Sequence, residues 1–180
     1  NKKIISVGRL THQKNYSSLI KSFSKVASDF DDWTVEIYGT GSEHHHLERL
    51  IERLALTDRV KLMNHTDDIG SKLSSAQFFV LSSIMEGFPL VIAEAMAHGL
   101  PVISYDCPFG PSFIIQHGKN GILVPLNDEE GLTKAMELLI IDRVKREKLG
   151  SEAKLRAKEF LPDKIAVDWM NLFRKLKSEK

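Results

Sequence analysis

A three-layer α/β sandwich around a parallel sheet of about six strands is the fold class that this 180-residue chain predicts. Three observations predict it. Short apolar runs alternate with helix-period segments, 42% hydrophobic and 27% charged residues are the balance of a domain with a core, and no repeat, low-complexity tract or linker interrupts the pattern. No apolar stretch approaches the ~20 residues of a membrane span and no signal peptide opens the chain, so a single cytoplasmic domain over 1–180 is expected.

The first strand, Lys3 to Val7, runs into the loop Gly8-Arg9-Leu10-Thr11-His12-Gln13-Lys14-Asn15. Leu19, Ile20, Phe23, Val26, Ala27 and Phe30 then keep a helical period over three turns. Arg9 and Lys14 thus lie where a parallel sheet binds ligands, at a strand's C-terminal end. Two basic loop residues are also an ordinary solvated surface.

The second strand, Thr34 to Tyr38, is followed by Gly39-Thr40-Gly41 and a helix bearing Leu47, Leu50, Ile51 and Leu54. A dinucleotide fingerprint needs a third glycine where this chain has His44, so a tight turn is the better reading. His44, His45 and His46 are consecutive, point about 100° apart on a helix, and are not expected to converge on a metal. The third strand, Val60 to Met63, carries Lys61, which either meets a ligand or is a solvated edge lysine.

Between the fourth strand, Gln77 to Leu81, and the fifth, Val102 to Tyr105, Glu86 and Glu94 stand eight positions apart around a strand-to-helix turn. With a helix starting near Phe88 or Pro89, Glu94 lies about 8 Å along the axis, and the free amides of the first turn favour an anion. Carboxylates so far apart make a poor general acid–base pair but suit two diols flanking a negative group. The bland alternative is a helix-dipole partner at Glu86 and a solvated Glu94.

Asp106 to Val124 reads as a turn, a short helix and the sixth strand, Gly121 to Val124. Cys107 is the only cysteine, which excludes an internal disulfide and a cysteine-rich zinc cluster and fits a reducing compartment. Net charge is +1, yet residues 142–180 hold 12 Lys and Arg against 7 Asp and Glu. The helices of 141–180 are expected to pack Leu155, Phe160, Val167, Trp169, Leu172, Phe173 and Leu176 on protein, with the basic side solvated or facing anionic lipid.

From Ser6 to about Leu126 the chain resembles the nucleotide-sugar-dependent, retaining glycosyltransferases of family 4, and Ser83 to Ser104 carries their E-x7-E signature. The resemblance implies the donor-binding, Rossmann-like half of a GT-B fold, its N-terminal acceptor domain lying outside this sequence. Glu86 would contact the transferred sugar, Glu94 the ribose, and Arg9 and Lys14, matching the G-R-L-x4-K pattern, the diphosphate. Amides at Gly87, Phe88 and Leu90 would complete the cradle, with Lys61 near the base.

Also implied are a UDP-sugar donor, a glycan or lipid-linked acceptor in cell-surface polysaccharide synthesis, peripheral contact with the cytoplasmic membrane face, no metal or other cofactor, and no nucleic-acid partner. By itself the half would bind donor and catalyse little. Members often hold glutamate at Phe113 and glycine at Asn64; Phe113 is expected to pack its helix on the sheet. A non-catalytic nucleotide- or glycan-binding module is the alternative from another class, and an epimerase or phosphorylase of GT-B type is the rival enzyme.

Overall fold

The computed structural model, which describes residues 2–178, contains the six expected strands: β1 Lys2–Val7, β2 Trp33–Tyr38, β3 Val60–Met63, β4 Phe78–Leu81, β5 Val102–Tyr105 and β6 Gly121–Val124. All pair in parallel in the order β3-β2-β1-β4-β5-β6. The chain therefore builds outward from β1 in one direction, returns, and builds outward from β4 in the other. The reversal falls between β1 and β4, the switch point at which open parallel sheets form their ligand crevice.

Period-two alternation decides which helix covers which residue. Ile4, Phe78 and Val80 face the layer of α1 Tyr16–Ser24, α2 His44–Arg53 and α6 Glu129–Ile141. Ile5, Phe79 and Leu81 face the layer of α3 Ile69–Ser74, α4 Leu90–Ala97, α5 Pro111–Ile114 and α7 Arg143–Ala157. Both faces of β4 are fully buried, which is why its four residues read as one apolar run. The Asp128 and Asp142 carboxylates accept from the amides of Gly131 and Lys145, each at 2.8 Å, and so start α6 and α7.

Three expectations are corrected. The first helix stops at Ser24, yet tight turns (Val26 and Ala27 both donate to the Phe23 carbonyl) keep the chain coiled and bury Val26 and Ala27, so the apolar period outlasts the helix. Phe113 does not pack α5 on the sheet: it is 75% exposed, because the single turn sends Pro111 and Ile114 inward instead. The last helix, α8 Pro162–Ser178, buries none of its residues, and Ile165, Trp169, Leu172, Phe173 and Leu176 form an exposed apolar stripe. Among the described residues nothing lies over that stripe.

Candidate functional site

The loop after β1 passes through a 3₁₀ turn, His12–Lys14, and Asn15 takes the left-handed conformation that aims the chain into α1. The loop after β4 runs from Ser82 to Pro89 and enters α4 at Leu90. Four hydrogen bonds join these loops across the crevice. Gln13 Nε2 donates to the Met85 carbonyl at 2.8 Å, the Ile84 amide to the Gln13 carbonyl at 2.9 Å, and Ser82 Oγ to the Lys14 carbonyl at 2.9 Å. The fourth is the ion pair of Lys14 Nζ with Glu86 Oε1 at 2.6 Å.

With side chains only 16% and 9% exposed, this pair is drawn well out of water, unlike the surface pairs elsewhere on the chain. Removing one member of such a pair leaves the other charge without its partner, which costs far more than the pair contributes over a neutral substitute. Anything that parts the two must therefore supply Lys14 with another anion and Glu86 with other hydrogen-bond donors. Arg9 is exposed on the same loop, and its guanidinium makes no hydrogen bond or ion pair among the described residues.

On the β4 side the Gly87 and Phe88 amides donate to no described group, whereas Leu90 donates to the Phe88 carbonyl at 2.9 Å and is spent. The expected amide cradle thus narrows to Gly87 and Phe88. Glu94 stands exposed on α4, one helical step from Leu90. Lys61 is not brought to the crevice: its ammonium donates to the Thr57 carbonyl at 2.8 Å, on the side from which β3 begins.

Beneath the β1 loop, Gly39 and Gly41 have a purely structural task. A side chain on Gly39 would start 2.0 Å from the Gly8 carbonyl oxygen, and one on Gly41 would start 2.3 Å from that of Leu10. The loop after β5 closes the other flank, where Gly110 leaves a Cβ only 2.8 Å from the Gly87 carbonyl oxygen. Behind it Cys107 is buried, and burial, reinforced by the Glu86 carboxylate, pushes its thiol up and keeps it protonated.

His44 and His45 both reach one carboxylate oxygen of Glu48, at 3.3 and 3.0 Å, so consecutive imidazoles do converge here. They can because Glu48 lies three and four residues on, across the same helix face. Their contact depresses the Glu48 carboxyl through its hydrogen bond to His45 first. The cluster lies on α2, with His45 and Glu48 exposed and His44 half-buried.

The sequence singled out Glu86 by its spacing from Glu94, and Lys14 by its place after the first strand and the family resemblance, but not Gln13, Ser82 or Tyr16. Gln13 and Ser82 act through backbone carbonyls about 70 positions away, a contact with no periodic signal, and Tyr16 falls before the residues of the apolar period that marks the first helix. What the arrangement offers chemically is a crevice that presents cations, unpaired amides and a carboxylate to one elongated polar molecule.

The family model for "Glycosyl transferases group 1" matches residues 1–156. An uncharacterised glycosyltransferase of Haemophilus influenzae is 32% identical over 172 residues, 96% of this chain and 49% of that protein. Among solved structures, a variant of S. aureus TarM with fondaparinux, alpha-GlcNAc-glycerol and UDP superposes with a TM-score of 0.90 at 27% identity, covering 96% of this chain and 35% of that one. The pneumococcal O-GlcNAc transferase GtfA with UDP and GlcNAc does so at 0.87 and 25%, again over 96% and 35%. This chain therefore spans about half the length of the H. influenzae relative, as one Rossmann-like half of a GT-B fold does. It belongs to the group 1 glycosyl transferases.

Proposed function

We propose that the chain is the donor-binding half of a retaining glycosyltransferase, which moves a hexose or N-acetylhexosamine from a UDP-sugar to a glycan or lipid-linked acceptor in cell-surface polysaccharide synthesis. One observation carries the reading: Lys14 and Glu86, from loops 72 residues apart, meet at 2.6 Å where the sheet order reverses. A nucleotide sugar presents each with what it lacks. Its diphosphate competes for Lys14, and its sugar hydroxyls donate to Glu86.

Breaking the bond between the anomeric carbon and the diphosphate leaves negative charge on the phosphate oxygens and positive charge on the sugar. Lys14, Arg9 and the Gly87 and Phe88 amides would stabilise the departing group from fixed positions, the task that a divalent ion performs elsewhere, so the reading calls for no metal. Glu86 orients the sugar for attack from the face that the diphosphate leaves. Glu94 accepts from the ribose hydroxyls. The acceptor would come from the other half of the enzyme, at the cytoplasmic membrane face when it is lipid-linked; the basic surplus of residues 142–180 supports that contact.

Calorimetric titration of the 180-residue chain with UDP, UDP-sugars and GDP-sugars tests this. UDP should bind, and Lys14→Ala or Glu94→Ala should weaken it at least about tenfold, or 1.4 kcal/mol. In the whole enzyme Glu86→Ala should lower kcat more than UDP affinity. Indifference to every nucleotide would sink the proposal in favour of a non-catalytic module.

A further inference from the structure

Two buried side-chain oxygens among the described residues make no hydrogen bond, and both belong to the segments that build the crevice: Tyr16 Oη and Ser83 Oγ. Tyr16 is 2% exposed. An unpartnered buried hydroxyl is costly, and at a functional site it points to a partner that arrives with the ligand. The position of Tyr16 says which partner. A methyl group on Gly8 would lie 2.9 Å from Tyr16 Oη and 3.1 Å from Lys14 Cε, so the phenol oxygen and the end of the lysine stem flank one small space.

At present the Lys14 ammonium is turned away to Glu86. The nearby Ser6 hydroxyl gives its one proton to the Val80 carbonyl at 2.6 Å, so towards the phenol it can only accept. Burial above all, opposed by Ser6 and aided by the Glu86 carboxylate, holds the Tyr16 phenol far above its ordinary value. It therefore stays neutral, with lone pairs open to a cation.

Resting on the donor-site reading, we propose that Tyr16 is a positioning residue for Lys14. When a nucleoside diphosphate draws the ammonium off Glu86, the Tyr16 oxygen accepts one of its three N–H bonds and steadies it over the phosphates. Glu86 is thereby released to the sugar hydroxyls. The donor-free ion pair and the donor-bound arrangement are then two settings of one lysine, and Tyr16 is the rest for the second.

Tyr16→Phe in the 180-residue chain tests this, with UDP and uridine as the ligands. The expected result is a roughly tenfold loss of UDP affinity, unchanged uridine affinity, and a melting temperature equal to or above that of the parent, because an unpaired buried hydroxyl has been removed. Unchanged UDP affinity would overturn the proposal. So would equal losses for UDP and uridine with a lowered melting temperature, which mark a packing role. Lys14→Ala separates the two levels: if it binds UDP like the parent, the donor-site reading fails as well, whereas a loss there with none in Tyr16→Phe refutes Tyr16 alone.

Discussion

Single atoms decide what several residues of the crevice can be, and the glycines show it most sharply. At Gly39 the obstacle to a side chain is another backbone, 2.0 Å away, so no rotamer change relieves it, and φ is +152°. Gly39→Ala should cost more than about 3 kcal/mol in urea unfolding, since the strand end and the Gly8 loop must move apart. Gly87 is the opposite case, with nothing within 4 Å of a Cβ. Gly87→Ala should change stability by less than about 0.5 kcal/mol, because the methyl group enters open space, and should weaken UDP binding if the proposed donor fills that space. A loss of stability there would show that Gly87 serves the fold. The tight turn through Gly39 and Gly41 was legible in the sequence, since a missing third glycine argued against a dinucleotide. The reason for it, a second loop crossing directly above, was not.

Elements were legible where burial was uniform or strictly periodic. Every strand was placed to within a residue at each end, because a parallel sheet covered on both faces turns its strands into short apolar runs. Ends and one-turn helices were harder. The apolar period of α1 continues through Ala27 although its helix ends at Ser24, and α5 is too short for any period to show which way Phe113 faces. What holds the chain after α1 is Arg59, just before β3. Its guanidinium donates to the Ala27, Phe30 and Trp33 carbonyls, at 3.1, 2.5 and 2.7 Å, closing the path from α1 to β2. Hydrogen bonds from a charged group contribute about 1.5–3 kcal/mol each at most, and the three carbonyls share one side chain. Arg59→Ala should therefore destabilise the domain by about 3 kcal/mol in urea unfolding, and Arg59→Lys should recover less than half, because an ammonium cannot span three carbonyls. Full recovery with lysine would mean that charge alone matters there.

For the whole molecule, strand–helix alternation was enough to foresee a parallel sheet with both faces covered, whereas the reversal between β1 and β4 depends on which strands pair and has no local signature. The stripe on α8 shows the same limit from the other side. Amphipathic spacing says that a face is apolar, not what covers it, and this chain is about half as long as the H. influenzae relative. A global property does follow from the tyrosines. All three of the chain, Tyr16, Tyr38 and Tyr105, are buried, and burial pushes each phenol above its ordinary value, with Glu36 adding to the effect at Tyr38 and Ser18 opposing it at Tyr105. In the unfolded chain they ionise near pH 10. Above that pH the unfolded state binds fewer protons than the native state, so the slope of stability against pH is negative. The tyrosine contribution is thus fully present below about pH 10 and is lost as pH rises toward the folded values. Absorbance of tyrosinate should show the native domain less ionised at pH 10 than the unfolded chain, then one cooperative step that coincides with loss of helical circular dichroism and releases the remaining phenol protons. Tyr16→Phe should make that step smaller. Gradual ionisation near pH 10 with the circular dichroism intact would mean that these phenols are open to water in the folded protein.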